Sequence, residues 1–365
     1  MINKKFWKNK KVFITGHTGF KGGWLSVILH QLGCEISGYS LNPSGKNNFF
    51  NSTQLKKCFK YDFRKNLVNY DDLKNSIKKS KAEIIFHLAA QSSVIESFEN
   101  SENTILSNVV GTSNVLEAIK TNSKVKCAII TTTDKVYENL GKKKFFKEDS
   151  RLGGEDIYSA SKAACEIITH SYNKSFFTNL PCNIATVRAG NCIGGGDWTK
   201  DRIVKDCLEK FTGNNDLIIR NPEATRPWQH VIEPIHGYLI LAEKLFSKSG
   251  KDYSGAWNFG PNKKQNFKVI NLVKLIKKKI NSNSKIIIKR NNKIFNTKKY
   301  EIFESKNLSI NSQKSKKKLN WYSFLTINEA LNFTTDWYLT FIKKRDLLDL
   351  TKKQVLKYWE KSNFK

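Results

Sequence analysis

The sequence predicts an α/β fold: a doubly wound parallel sheet carrying a smaller mixed α/β lobe that would bind substrate. Two observations predict the sheet. Short apolar runs alternate with stretches of helical periodicity over the first half of the 365 residues. Turn residues separate them, as in β-α-β units, whose right-handed crossovers cover both faces of a parallel sheet. A third observation predicts the lobe: beyond Arg188 the alternation loosens into short apolar pieces between turns.

The elements follow in order. KVFIT (11–15) reads as a strand and KGGWLSVILHQL (21–32) as a helix ended by Gly33. CEISGY (34–39) is a second strand, 71–80 a helix and EIIFHLAA (83–90) a strand. A helix over 108–120 leads to the strand KCAIITTT (126–133), and a long helix over 156–177 leads to NIATVR (183–188). GNCIGGGDW (190–198) is a glycine-rich loop, and short strands are expected near 217–220, 256–259 and 285–289. The tail from Lys343 has the pattern of a closing amphipathic helix. Residues 1–190 would form the nucleotide-binding domain, to which elements around 228–260 return. Residues 191–227 and 261–365 would form the smaller lobe and closing helices.

Composition narrows the function. Lys and Arg total 63 against 32 Asp and Glu, a formal charge of +31. Such a charge suits nucleic acid or another anion. The lysine runs at 142–144, 277–279 and 316–318 are short and lack interleaved aromatics, so an anionic small substrate fits as well, and nucleic acid is not expected as a partner. No apolar run reaches the length of a membrane span, and MINKKFWKNKKVF lacks the apolar core of a signal peptide. Seven scattered cysteines without metal-ligand spacing read as reduced thiols, no metal site and a cytoplasmic protein.

FITGHTGFKGGWL (13–25) carries the first chemistry. Gly16, Gly19 and Gly22 follow a strand and open a helix. Glycine serves where φ is positive or where backbone meets a ligand. The helix start offers unpaired N–H groups and a positive dipole end, suited to a pyrophosphate. This is the Rossmann-type phosphate turn in its structural context. Thr18 and Phe20 belong to the turn, and His17 and Lys21 are expected to add positive charge beside the phosphates. Dinucleotide folds place an acid at the end of the second strand to hold the ribose. Ser40 stands there instead, with no arginine for a 2′-phosphate, which favours NAD over NADP. Asp62, followed by Phe63, is placed to meet the adenine amine after a third strand; a turn-capping role fits its position equally well.

The second chemistry lies at 131–137 and 158–162. Tyr158 and Lys162 stand four apart and share a helix face. A tyrosine base must shift from a pKa near ~10 to about 7, roughly 4 kcal/mol of differential stabilisation. A neighbouring ammonium and a positive nicotinamide ring would supply it. Thr133, Asp134 and Lys135 fall at the C-terminal end of a central strand, where open α/β sheets hold ligands. Thr133 can bond a substrate hydroxyl. Asp134 and Lys135 are an acid/base pair beyond what a plain hydroxyl dehydrogenase needs, which points to elimination of water.

TGHTGFKGGWL, HLAAQ, TTTDKVYEN, GGEDIYSASK, VRAGNCIGGGDW, DRIVKDC and RNPEATRPWQHV together resemble the extended short-chain dehydrogenase/reductases. More narrowly, they look like the CDP-glucose 4,6-dehydratases, nearly end to end. The resemblance implies bound NAD, CDP-glucose as substrate and a keto-deoxysugar product, CDP-4-keto-6-deoxyglucose, of use in surface-glycan synthesis. It implies Tyr158 as the base at the C4 hydroxyl, Asp134 as the acid at C6 and Lys135 as the base at C5. It also implies that Leu88, Ala89, Ala90 and Thr131 pass beneath the dinucleotide, with Asn108 in support and Ala189 at the nicotinamide end. Gln91, Asn191, Trp198, Arg202, Arg220, Asn221, Arg226 and His230 would hold the nucleotide sugar, and a homodimer or homotetramer is expected. Two positions depart from the family's pattern, Ile95 and Asn311, and both concern the grip on substrate. A nucleotide-sugar 4-epimerase would interconvert isomers without needing Asp134 and Lys135. A dehydratase for another nucleotide-hexose also fits. A non-catalytic NAD- or nucleic-acid-binding protein has no physical need for Tyr158 and Lys162.

Overall fold

The computed structural model describes residues 2–140, 145–261, 266–289, 296–297, 300–301 and 308–363. The lysine run at 142–144 lies outside them. Seven strands make one sheet: β1 (Lys11–Thr15), β2 (Glu35–Ser40), β3 (Phe59–Arg64), β4 (Ile84–His87), β5 (Cys127–Thr131), β6 (Asn183–Ala189) and β7 (Gly255–Phe259). Their order is β7-β6-β5-β4-β1-β2-β3, every pair parallel. The chain moves outward from β1 to β3 and then returns to lay β4 on the other edge of β1. That reversal opens a crevice at the C-terminal ends of the strands, the place where such sheets bind ligands.

Successive side chains of a strand point to opposite faces, and the sheet shows it. Val12, Ile14, Ile84, Phe86 and Ile129 enter one core, while Phe13, Ile85, Ala128 and Ile130 enter the other. The first core is covered by α1 (Phe20–Gln31), which supplies Leu25, Ile28 and Leu29. The second is covered by α2 (Tyr70–Ser80) and α3 (Gly111–Lys120), which supply Leu73, Ile77, Val115 and Leu116. α4 (Ile157–Ser175) follows β5, and α5 (Ile232–Phe246) buries Leu239 and Leu241 in the first core. Each such side chain contributes roughly 1.5–3 kcal/mol when fully buried.

The helix expected over 108–120 starts earlier. The chain is helical from Ser101, capped by Asn100, and widens into a π-turn over Leu106–Val110 before α3. The polar run SENT hides its periodicity, so the sequence pattern begins only at the apolar residues behind it.

Beyond β6, short two-stranded pairs build the smaller lobe. Leu217–Ile219 runs parallel to Ile286–Ile288, Thr225–Pro227 antiparallel to Asn266–Lys268, and Cys192–Ile193 parallel to Gln229–His230. α6 (Val269–Ile280), α7 (Ile327–Ile342) and α8 (Leu347–Asn363) complete it. α7 starts with a reciprocal cap between Thr326 and Glu329. The closing helix of the tail is α8, whose Tyr358 and Val355 are buried. Among the described residues no helix is long and apolar enough to cross a membrane.

Candidate active site

The glycine turn is built at backbone distance. Gly16 has φ +76°, and a Cβ there would lie 2.6 Å from the Ala89 nitrogen. A Cβ on Gly22 would lie 2.2 Å from the Gly16 oxygen. The end of β1, the start of α1 and residues Leu88–Ala90 therefore close on one another only because side chains are missing. Thr15 bonds the Leu88 and Ala89 amides at 3.1 and 3.3 Å and fixes the third segment. Gly19 caps α1 without a side chain, so the helix presents its dipole end to the crevice. Phe20, at the first helical position, packs toward Gly194. The cradle fits a dinucleotide pyrophosphate.

At the adenosine end, the Thr18 hydroxyl bonds the Ser40 hydroxyl at 2.8 Å. Phe63 stacks on Tyr61 beside Asp62. His17 corrects the expectation of charge near the phosphates. Its ring is fully buried, edge-on to Phe59 and Phe50, and fills the space left by Gly38. Nε2 meets Asp62 Oδ1 at 2.8 Å. Burial lowers the imidazole pKa more than Asp62 raises it. We therefore read a neutral ring that donates to Asp62. Asp62 itself is held below its usual value, because His17 and Arg64 outweigh its burial. Lys21 likewise turns away from the role expected for it. Its ammonium lies 6.0 Å from the Tyr238 ring, and its charge bears on Tyr158, Asp134 and Lys162.

The chemical groups converge where β5 ends. Thr133 Oγ1 donates to Asp134 Oδ1 at 3.1 Å and accepts the Lys135 amide at 3.4 Å. The Tyr158 phenol lies close enough to the Thr133 hydroxyl for the two to interact. Asp134 is buried, and its Oδ2 has no hydrogen-bond partner among the described residues. Burial raises its pKa to about 6 against the pull of Lys135, Thr133, Arg226 and Lys21. A carboxyl so placed is a proton donor near neutrality. Tyr158 comes from the first turn of α4, which Asp156 caps through the Ser159 amide at 2.8 Å.

One expectation for this pair needs correction. Burial holds the Tyr158 phenol above its usual pKa, opposed by the Thr133 hydroxyl and the charges of Arg202 and Lys21. Lys162, itself lowered by burial, donates to the Thr131 carbonyl at 2.9 Å. Four-residue spacing put both side chains on one face, but the Lys162 ammonium is held by the strand beneath.

The residues expected at the substrate separate into two groups. Arg226 is buried beside Asp134, and Arg202 faces Tyr158. Asn191 joins the small lobe through its carbonyl, which accepts the Gln229 amide. Asn221 accepts the Ala224 amide, and Arg220 is exposed after Leu217–Ile219, with its charge on Asp206. Trp198 packs on Tyr338 and Phe341 of α7. Two positions are corrected. Gln91 spends its amide on the Ser93 carbonyl and the Thr104 hydroxyl, so it shapes its own loop. His230 is a core residue, fully buried with its ring edge-on to Trp24 and Phe333, and burial lowers its pKa to about 3. Asn108, in the π-turn, bonds the Gln91 carbonyl at 3.0 Å and the Ser161 hydroxyl at 2.9 Å, tying that loop to α4. Ala189, the last residue of β6, is buried against β7. Asn311, the C-terminal departure, ties the Phe146 segment to Asn258 through its backbone.

Sequence reasoning missed a buried ion pair under the site. Glu166 accepts from Arg188 Nε and Nη2 at 2.8 and 2.9 Å and from the Thr132 and Thr186 hydroxyls. Arg188 Nη1 continues to Tyr137 at 2.8 Å. The signal was present: Glu166 stands four residues beyond Lys162, on the face already singled out. Arg64, at the end of β3, was missed as well.

Residues 13–334 match the family model described as GDP-mannose 4,6 dehydratase. The CDP-glucose 4,6-dehydratase of Salmonella typhimurium is 35% identical over 98% of both chains. A dTDP-D-glucose 4,6-dehydratase of Dictyostelium discoideum is 28% identical over 67% of this chain and 58% of its own. Among solved structures, the UDP-glucose 4-epimerase of Thermotoga maritima with UDP-glucose superposes with a TM-score of 0.78 at 18% identity, covering 91% of this chain and 99% of that one. The dTDP-glucose 4,6-dehydratase of Bacillus anthracis in complex with NAD gives 0.74 at 22%, covering 93% and 99%. These structures share the fold, and the sequence match, spanning the glycine turn, the Thr-Asp-Lys strand end and the Tyr158 helix alike, places this chain in the GDP-mannose 4,6-dehydratase family of nucleotide-sugar dehydratases.

Proposed function

We propose that the protein converts CDP-glucose to CDP-4-keto-6-deoxyglucose and water, as an NAD-dependent hydro-lyase. The observation that carries this reading is the buried Asp134 Oδ2, without a partner among the described residues, beside Thr133 and Tyr158. An epimerase needs no proton donor there, whereas elimination of a hydroxyl does.

Gly16, Gly19 and Gly22 would hold NAD, which when bound would supply a reversible two-electron acceptor for the hexose. The chain's own groups move the protons. Tyr158 takes the proton of the C4 hydroxyl, while Thr133 orients that hydroxyl. The C4 ketone so formed acidifies the C5 hydrogen, for which Lys135 is the base we assign. Asp134 gives its proton to the C6 hydroxyl, water leaves, and a solvent-exchanged proton comes back to C5 as C6 is reduced. Lys162, anchored on the Thr131 carbonyl, is the residue we assign to the nicotinamide ribose. Arg202 and Arg226 supply charge for the diphosphate, and a guanidinium fork can bond two of its oxygens.

The 35% identical relative supports cytosine as the base. A cytoplasmic homodimer or homotetramer is the state we assign. The test is a panel of CDP-, dTDP-, UDP- and GDP-glucose with mass detection. CDP-glucose is expected to lose one water fastest. Preferential turnover of another member contradicts the substrate, and unchanged masses throughout contradict dehydration.

A further inference from the structure

The adenosine end of the cradle holds an arginine both of whose terminal nitrogens already donate within the chain. Arg64 Nη2 donates to Asp62 Oδ2 at 2.8 Å, and Nη1 donates to the Leu41 carbonyl at 3.3 Å. Its guanidinium carbon lies 4.4 Å from the centre of the Phe50 ring. Leu41 follows Ser40 at the end of β2, where dinucleotide folds read the ribose 2′ position. A cation therefore stands beside the 2′ site, although the sequence around Ser40 shows none. Lys56 and Asn51 line the same pocket, together with Asp62, Arg64 and Phe50.

Such a pocket has no carboxylate at the end of β2 to repel a 2′-phosphate, yet the chain is an NAD enzyme. The geometry points to Asp62 as the residue that sets this preference, by occupying the guanidinium that would otherwise bind a 2′-phosphate. The carboxylate acts in two ways. It takes one terminal nitrogen of the fork, which breaks the two-donor pattern that suits phosphate. It also puts a negative charge beside the 2′ position. His17 fixes the carboxylate from below through Oδ1, leaving Oδ2 for Arg64. The histidine that failed as a phosphate cation is thus part of a discriminating chain, His17–Asp62–Arg64. This rests on the dinucleotide reading of the cradle.

Direct binding tests it without turnover. The purified full chain, dialysed free of exchangeable nucleotide, is titrated with NADH and with NADPH, read by energy transfer from tryptophan to the reduced ring. Asp62→Asn keeps a hydrogen-bonding side chain of the same shape and removes the charge. Any lost contact to adenine is common to both nucleotides, so the ratio of their dissociation constants isolates the 2′ effect. Preference for NADH is expected to fall by about tenfold or more, the scale of a freed arginine–phosphate fork. In an Arg64→Ala background the same substitution should shift the ratio less, because only the charge beside the 2′ position is then removed. Arg64→Ala alone should sharpen the preference for NADH, because the carboxylate then meets the 2′-phosphate without the guanidinium paired to it. An unchanged ratio in Asp62→Asn, or a shift just as large in the Arg64→Ala background, would overturn the proposal. Failure of the native chain to bind NADH would instead remove the dinucleotide reading on which it stands.

Discussion

At Asp134 the fold opposes two tendencies. Burial favours the acid, and nearby cations favour the anion, leaving the carboxyl with a pKa of about 6. An acid must be protonated to act, so kcat/KM is expected to decline as pH rises through this value. Asp134→Asn should cost about a hundredfold or more in kcat, within the span of general acid catalysis, and erase that decline. A pH profile of both proteins checks it. Gly190 guards the same carboxyl: a Cβ there would lie 3.3 Å from Asp134 Oδ2 and 2.9 Å from the Pro227 ring. Gly190→Ala should therefore lower kcat and destabilise the chain by about 1–3 kcal/mol, measured by urea unfolding. Residues such as Tyr158, Lys162, Thr133 and Asp134 were legible because short spacing on one helix or one strand end places them. His17 and His230 were not. Their environments come from Asp62, Trp24 and Phe333, which only the folded chain brings near.

Among the elements, α4 carries the most consequence. Its first turn holds Tyr158, its second Lys162, and its third Glu166, which locks onto Arg188 of β6. The start of the helix depends on Asp156, whose two oxygens accept the Ser159 amide and hydroxyl at 2.8 and 2.6 Å. Asp156→Ala is expected to cost about 1 kcal/mol of stability, and Asp156→Ser to recover most of it. Because fraying there displaces Tyr158, kcat should fall in the alanine variant and return in the serine variant. The strands of the main sheet were readable because their apolar runs must fill two cores at once. The π-turn at Leu106–Val110 was hidden, since a widened turn has no distinctive residue pattern. Its purpose appears only in the contacts of Asn108 with Gln91 and Ser161.

Across the whole molecule, the closing helix is fastened to the core by a buried carboxyl. Glu233 of α5 accepts from the Phe324 and Leu325 amides, the Ser323 hydroxyl and Tyr358 of α8. His236 meets the same phenol at 2.9 Å. Burial dominates these donors and lifts the Glu233 pKa to about 7 from its ordinary 4.5. A raised folded pKa means that the folded chain holds the proton more tightly than the unfolded one. The stability it contributes is complete below about 4.5 and is lost as pH rises through about 7. His236, lowered to about 3, works in the opposite sense: its contribution is present above 6.5 and lost as pH falls. Glu233→Gln removes only the first of these, so the difference in thermal midpoint between variant and native chain should change between pH 5 and 8 in favour of the variant at the higher pH. A constant difference would contradict the assignment.

The central claim is that one cleft oxidises, dehydrates and re-reduces a single hexose. The most direct test is CDP-glucose incubated with the native chain in heavy water, followed by mass and proton spectra of the product. The account predicts loss of one water, a C6 methyl group and one solvent deuterium at C5. A product of unchanged heavy-atom composition would contradict it.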